Sequence, residues 1–201
     1  IQRLMARQCL RHENYDRATE LAALARHGFD LCNDEIESAR TAFVLADAAF
    51  AKGMPQRARQ LLDAALARFT PHGMVYDMAT VHARLAQLLW LGGKPTDAMD
   101  MAGRAMATFS KNHATTDLIH VQLLIDVMRF LDTPSAKELT TLDSDTSAIQ
   151  RHGDLVATAH AQVFQLIAHA LHDDWTFFER VAQKAEKSER EHRLPPLCKG
   201  T

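Results

Sequence analysis

The sequence repeats itself with a period of about 40 residues, and this period restricts the fold more than any other feature of the chain. Small residues recur at the same place in successive repeats, as at Ala18, Ala58 and Ala98. Four and seven residues after Ala58 come Leu62 and Ala65, and the other repeats follow the same spacing. Positions i, i+4 and i+7 lie on one face of an α-helix, where small side chains let a neighbouring helix approach closely. The period therefore predicts a series of packed helices.

Turn-forming residues share the period and divide each repeat into two helices. Gly53-Met54-Pro55 recurs as Gly93-Lys94-Pro95, and proline is well suited to the first position of a helix. In other repeats this break holds residues that can cap a helix, namely Asn14, Thr133 and Asp174. A second break holds residue types that tolerate a positive φ, at Asn33, Gly73, His113 and Gly153. Each repeat is thus predicted to be a helix, a tight turn, a second helix and a linker.

Five such repeats account for nearly all of the 201 residues. Their approximate bounds are 1–32, 33–72, 73–112, 113–152 and 153–192. Because stacked repeats have no internal boundary, we expect a single domain over 1–192, followed by a flexible tail over 193–201. The fourth repeat is the weakest match, since Glu138 and Asp145 stand where the others carry small or aromatic residues. Its polar segment 140–147 predicts a shortened or frayed helix.

Composition agrees with a helical globular protein and excludes several functional classes. Apolar residues make up 47% and charged residues 24%, which excludes general disorder, and only 8 glycines and 6 prolines interrupt the chain. The net charge of −2 argues against direct nucleic-acid binding, which usually needs a basic surface. No apolar run approaches the length of a membrane-spanning helix, so we expect no membrane contact. Three cysteines without a Cys-x-x-Cys pair favour a reduced, cytoplasmic protein.

The residues give no pattern typical of catalysis or of a cofactor. The densest histidine cluster, His169-x-x-His172-Asp173-Asp174, lies where one helix is expected to end and the next to begin, and a structural role is favoured there over a metal site. Gly92-Gly93-Lys94 lacks the strand that must precede a phosphate-binding loop. We therefore predict no enzyme, no metal and no cofactor.

The spacing of small residues resembles that of the tetratricopeptide repeat (TPR) family. The matching positions are Ala46, Ala58, Leu62 and Ala65 in the second repeat and Ala86, Ala98, Ala102 and Ala105 in the third. The usual TPR period is about 34 residues, and longer units look like the helical arrays attached to bacterial regulators. The resemblance implies an all-α, right-handed TPR-like α-solenoid of about five antiparallel helix pairs. It also implies that the first helices line a concave groove in which peptides or partner helices bind.

Carrying the groove positions over to this chain gives a set of candidate binding residues. They are Arg3, Arg7, Arg40, Phe43, Asp47, Thr80, Gln87, Trp90, His120 and His160. The groove would be basic and polar at its N-terminal end and lined by histidine and apolar side chains toward its C-terminal end. The alternative is that these are ordinary surface or half-buried helix residues. The asparagine positions of chaperone-binding repeats are occupied by Leu4, Val44, Arg84 and Leu124, so that carboxylate clamp is absent.

The resemblance implies a protein- or peptide-binding regulatory module. We predict the sensor or docking part of a bacterial signalling or transcription-regulating protein, which would act on an attached output domain. The alternative function is a self-association scaffold that forms a homodimer. Since the chain opens at Ile1 within the first repeat, we also expect it to be part of a longer or processed protein.

Overall fold

A computed structural model shows packed α-helices joined by tight turns. It describes residues 1–153, 155–172, 175–177, 179, 180 and 183, with the backbone alone at 152, 155–157, 159 and 160. The helices are α1 (Gln2–Arg11), α2 (Tyr15–Leu31), α3 (Glu35–Ala51), α4 (Pro55–Phe69), α5 (Val75–Leu91), α6 (Pro95–Lys111), α7 (Thr115–Asp132), α8 (Ala136–His152) and α9 (Leu155–Leu171). Within the described residues there is no strand, and no helix has the length and apolar character needed to cross a lipid bilayer.

The helices follow the predicted repeat. The first helices of the later repeats, α3, α5, α7 and α9, begin at residues 35, 75, 115 and 155, which are evenly spaced by one period. The consecutive helices from α1 to α6, and α8 with α9, are joined by only a few residues and pack on each other, so they run antiparallel. Residues 175–177, 179, 180 and 183 are helical as well and extend the pattern into the fifth repeat. The predicted all-α array of antiparallel helix pairs is confirmed.

A left-handed residue closes nearly every helix, and these residues recur twice in each period rather than once. They are Glu13, Asn33, Gly53, Gly73, Gly93, His113 and Gly153, with φ between 53° and 83°. At Gly53 the amide donates to the carbonyl of Phe50, and the next amide, of Met54, donates to the carbonyl of Ala49, both at 2.9 Å. This is the Schellman pattern, which satisfies the carbonyls at the end of a helix. Positive φ was predicted at the second break alone, and the structure shows it at the first break too.

The break before α8 differs from the others. Thr133 and Pro134 occupy it without a left-handed residue, and α8 begins one residue later than the period predicts. Ser135 caps α8, because its Oγ accepts the backbone N–H of Glu138 at 3.3 Å. The predicted cap at Asn14 is confirmed by the Arg17 N–H, which donates to Asn14 Oδ1 at 3.2 Å. The predicted cap at Asp174 lies outside the described residues.

Two compact units divide the chain, one over residues 1–124 and the other from residue 125 onward. In the first unit, the recurring small residues form the core, and Ala18, Ala58 and Ala98 are each at most 1% exposed. The apolar residue that ends a second helix also packs inward, as Phe69 does against Phe43 with ring centroids 5.7 Å apart. Small residues at the interior positions thus allow close helix packing, as the spacing predicts.

The second unit corrects the prediction of a frayed fourth repeat. α8 is a continuous helix of 17 residues, and the polar segment 140–147 lies within it. Its buried face is Leu139, Leu142, Thr146 and Ile149. Asp143 on the same helix accepts a hydrogen bond from Gln165 Nε2 of α9 at 2.7 Å. Packing and these contacts with α9 outweigh the weak helix propensity of the polar residues.

His169, from the candidate histidine cluster, has a structural position in this unit. It lies in the last turn of α9, where it is 3% exposed. Its Nε2 is 2.9 Å from Asp143 Oδ1, and its ring stacks on Phe177 with centroids 3.4 Å apart. His172 follows the helix, and Asp173 and Asp174 lie outside the described residues. Among the residues with described positions, no three histidine, cysteine or acidic side chains are grouped as metal ligands.

Candidate functional site

The first unit carries a cleft of about 640 Å³ that is lined only by the first helices of consecutive pairs. We call it the arginine cleft. The lining residues are Arg3, Arg7, Leu10 and Arg11 of α1, Arg40, Phe43, Val44 and Asp47 of α3, Tyr76, Asp77, Thr80 and Arg84 of α5, and Asp117 of α7. On α1, α3 and α5 the lining residues recur every three or four positions and include one adjacent pair on each helix, so they form one face that the period repeats on the next first helix.

A network of ion pairs joins the first three of these helices. Arg40 binds Asp77 through two parallel contacts, from Nε to Oδ1 and from Nη2 to Oδ2, each 2.9 Å long. Its Nη1 is 2.8 Å from Glu37, and the other oxygen of Glu37 is 2.8 Å from Arg3 Nη2. Hydrogen bonds to Asp77 and Glu37 raise the pKa of Arg40 above its usual value. The charges of Arg3 and Arg40 are therefore largely neutralised within the protein.

The other two aspartates of the cleft also have partners. Asp47 pairs with Arg84 more loosely, at 3.3 and 3.4 Å. Burial raises the pKa of Asp47, although the positive charges of Arg84 and Arg7 act to lower it. Asp117 accepts a hydrogen bond of 2.5 Å from the Tyr76 hydroxyl, which raises the pKa of Tyr76 to about 12. Each carboxylate that lines the cleft is thus held by a donor from the chain itself.

Arg7 and Arg11 are the two arginines of the cleft that lie outside the ion pairs described above. Both are exposed on α1, one helical turn apart, and both line the cleft. Among the described residues neither takes part in an ion pair or a hydrogen bond. The cleft is lined by five arginines, against its three aspartates and the neighbouring Glu37, and three of the arginines lie on α1, so its N-terminal side has an excess of positive charge.

A smaller cavity of about 320 Å³ adjoins the arginine cleft. Asp47 and Arg84 line both. The remaining walls are Ala46 and Phe50 of α3, Ala58 and Leu62 of α4, and Gln87 and Leu88 of α5. Because all but Gln87 are apolar, we call it the apolar cavity.

Six of the predicted site residues lie together in the arginine cleft. They are Arg3, Arg7, Arg40, Phe43, Asp47 and Thr80. Gln87 lines the apolar cavity instead, and Trp90 is half-buried on α5 and lines neither cavity. His120 is exposed on α7, and the side chain of His160 lies outside the described residues. His120 does not line the arginine cleft, and the histidine-lined end of the groove stays a prediction.

The residues that pair with the predicted site residues were not themselves predicted. Asp77 and Asp117 lie one and two periods after Glu37, so the repeat itself contained the signal for a recurring carboxylate. Arg84 was considered only as a position without asparagine. No sequence pattern marks Tyr76 or Arg11 as a site residue, apart from the position of each on a first helix.

Solved structures with a similar fold are TPR-like repeat proteins. BtubC (BKLC) from P. vanneervenii superimposes with a TM-score of 0.71 at 14% identity, covering 98% of this chain and 82% of that one. A kinesin light chain-like protein of Podosopora anserina with nearly identical TPR-like repeats gives a TM-score of 0.64 at 15% identity, covering 96% of each chain. A point variant of the same protein gives 0.65 at 15% identity, over 94% of this chain and 95% of that one. Neither a scan against protein-family models nor a search of curated proteins finds a match. This chain therefore has the TPR-like fold.

Proposed function

We propose that this chain is a protein-binding module whose arginine cleft takes an extended, acidic segment of a partner protein. The observation that carries the proposal is that Arg7 and Arg11 have no ion pair or hydrogen bond among the described residues, although they line a cleft whose own carboxylates all have donors. Guanidinium groups bind carboxylates through paired hydrogen bonds, so an acidic segment matches this surface.

The pairing of two of the three cleft carboxylates favours binding over catalysis. A general acid or base must exchange a proton with a substrate, whereas Asp77 and Asp117 are held by Arg40 and by the Tyr76 hydroxyl. The TPR-like fold also supports a scaffold role, because its first helices present one continuous face to a partner. A bacterial signalling or transcription-regulating setting, with an attached output domain, is part of this proposal and rests on the resemblance of the long repeats.

Peptide binding with a matched charge control tests the proposal. A fluorescein-labelled decapeptide of glutamate and serine should bind, and a decapeptide of lysine and serine should not. The double variant Arg7→Gln, Arg11→Gln should raise Kd by about tenfold, since each partly exposed ion pair contributes up to about 1 kcal/mol. Added salt should weaken binding to the unsubstituted protein because it screens these charges.

The control removes the same charge elsewhere. Arg17 and Arg57 are exposed on α2 and α4 and line neither cavity. The double variant Arg17→Gln, Arg57→Gln should leave Kd unchanged. Equal losses in the two double variants, or equal binding of the lysine peptide, would contradict the proposal.

Self-association is a second candidate, favoured by an exposed apolar face on α9. Val163, Phe164, Ile167 and Leu171 lie along this helix and are between 39% and 60% exposed. Sedimentation velocity at low and high protein concentration tests this candidate. A sedimentation coefficient that rises with concentration supports a homodimer, and a constant one argues against it.

A further inference from the structure

We propose that the apolar cavity receives one large aliphatic side chain of the same acidic partner. The inference rests on the proposed function and adds a second element to what the partner must contain. The partner segment should contain a residue such as leucine next to the acidic residues that the arginine cleft binds.

The two cavities are adjacent and share two wall residues. Asp47 and Arg84 line both the charged cleft and the apolar cavity, so a chain in the first passes directly beside the second. On α3, Asp47 and Phe50 are three residues apart and therefore lie on one face. On α5, Arg84 and Leu88 are four residues apart and do the same. On each of these two helices, a charged residue of the cleft therefore lies one turn from an apolar residue of the cavity.

The apolar cavity has the size and lining for a single side chain. An enclosed apolar cavity of about 150 Å³ accommodates a molecule as large as benzene. The volume here is about 320 Å³, and its walls include Phe50, Leu62 and Leu88. Phe50 is 41% exposed, so an incoming side chain would cover apolar surface that now faces water.

The ion pair between the cavities is the weaker one in the cleft. Arg84 and Asp47 approach to 3.3 Å, whereas both contacts between Arg40 and Asp77 are 2.9 Å. A carboxylate of the partner can therefore replace Asp47 as the ion-pair partner of Arg84. The free-energy cost of this exchange is smaller than the cost of replacing Asp77 beside Arg40. That exchange places the partner's acidic residue at the entrance of the apolar cavity and its neighbouring residue inside.

A positional scan of peptides tests the inference. The probes are fluorescein-labelled decapeptides of glutamate and serine in which one leucine or one alanine is moved through every position. We expect leucine to bind about tenfold more tightly than alanine at one position, the gain that partial burial of its larger side chain should give. The Phe50→Ser variant should abolish this preference and keep the affinity for the peptide without leucine.

Two further variants keep the result interpretable. Leu24→Ser changes an apolar residue that is 54% exposed on α2 and lines neither cavity, and it should leave the leucine preference intact. Gln87→Glu places a carboxylate in the cavity wall without removing apolar surface and should also abolish the preference. Circular dichroism should show the same helix content in all three variants.

The outcomes separate this inference from the proposed function. Leucine and alanine binding equally at every position, or a leucine preference that survives both Phe50→Ser and Gln87→Glu, overturns the inference while the acidic-peptide function stands. Failure of the glutamate and serine peptide to bind overturns the proposed function, and this inference with it.

Discussion

At the scale of single residues, the charged groups of the arginine cleft differ in how closely they are paired. Arg40 and Asp77 form a short, two-pronged contact in which both charges are satisfied. Asp47 has a looser partner, and burial raises its pKa above the usual value of 3.8. A carboxyl group whose pKa is raised by folding opposes folding in its charged form. The charged form of Asp47 is therefore a cost to the stability of the folded chain.

This gives a pH-dependent prediction for Asp47→Asn. Because the folded-state pKa of Asp47 lies above its unfolded value, its protonated form favours folding at low pH, and that contribution is lost as the pH rises through the folded-state pKa. Asparagine does not titrate in this range, so the variant does not lose this contribution to stability. Its free energy of unfolding relative to the unsubstituted protein should therefore rise as the pH increases from about 3.8. Urea unfolding at acidic and at neutral pH measures this difference, and a difference that falls with rising pH would contradict the assignment.

At the scale of the helices, most boundaries could be predicted because each turn carries its own local signal. Gly53, Gly93 and the linker residues Asn33 and His113 mark the ends of helices by conformational preference alone. α8 was mispredicted, since its helix depends on contacts with α9 that the local sequence does not contain. The pairing of Arg40 with Asp77 was missed for a related reason. It joins residues 37 positions apart, and only side-chain geometry decides that Arg40 binds Asp77 rather than a ligand.

Two glycine substitutions should therefore have effects of opposite sign. Gly93 has a φ of 72° at a turn, and Gly103 lies within α6; a Cβ atom would meet no neighbour within 4 Å at either position. Gly93→Ala should destabilise the protein by about 1 kcal/mol because alanine is strained in the left-handed region. Gly103→Ala should stabilise it by about 1 kcal/mol because alanine is the better helix former. Thermal unfolding of both variants tests the turn geometry, which would be refuted by two shifts of the same sign.

At the scale of the whole molecule, stability is distributed along a series of neighbouring contacts. α3 packs on α1, α2 and α4, and α5 packs on α4 and α6, while α8 packs on α9. Arrays of this kind respond to a local change mainly near the place where it is made. A single free energy of unfolding therefore describes such a chain less well than a profile along its helices.

The ion-pair network offers a test of this local behaviour. Arg40→Gln leaves the largely buried Asp77 without its two-pronged partner and should cost about 2 kcal/mol of local stability. Amide hydrogen exchange should accelerate in α3 and α5 and stay unchanged in α8 and α9. Arg57→Gln, at an exposed position on α4, is the control and should change neither region. Equal acceleration in all helices would show that the chain unfolds as one cooperative body instead.

The left-handed residue that recurs at nearly every half period also determines how many residues can be inserted into this chain, or deleted from it, without changing the turns. An insertion or deletion of one whole repeat between equivalent turns, such as those at Asn33 and Gly73, rejoins identical turn geometry and keeps first helices in the place of first helices. A change of half a repeat would also preserve a turn, but second helices would then take the place of first helices beside the cleft. Duplication in whole repeats is therefore the route by which such a chain can extend its binding face, one helix with its charges at a time.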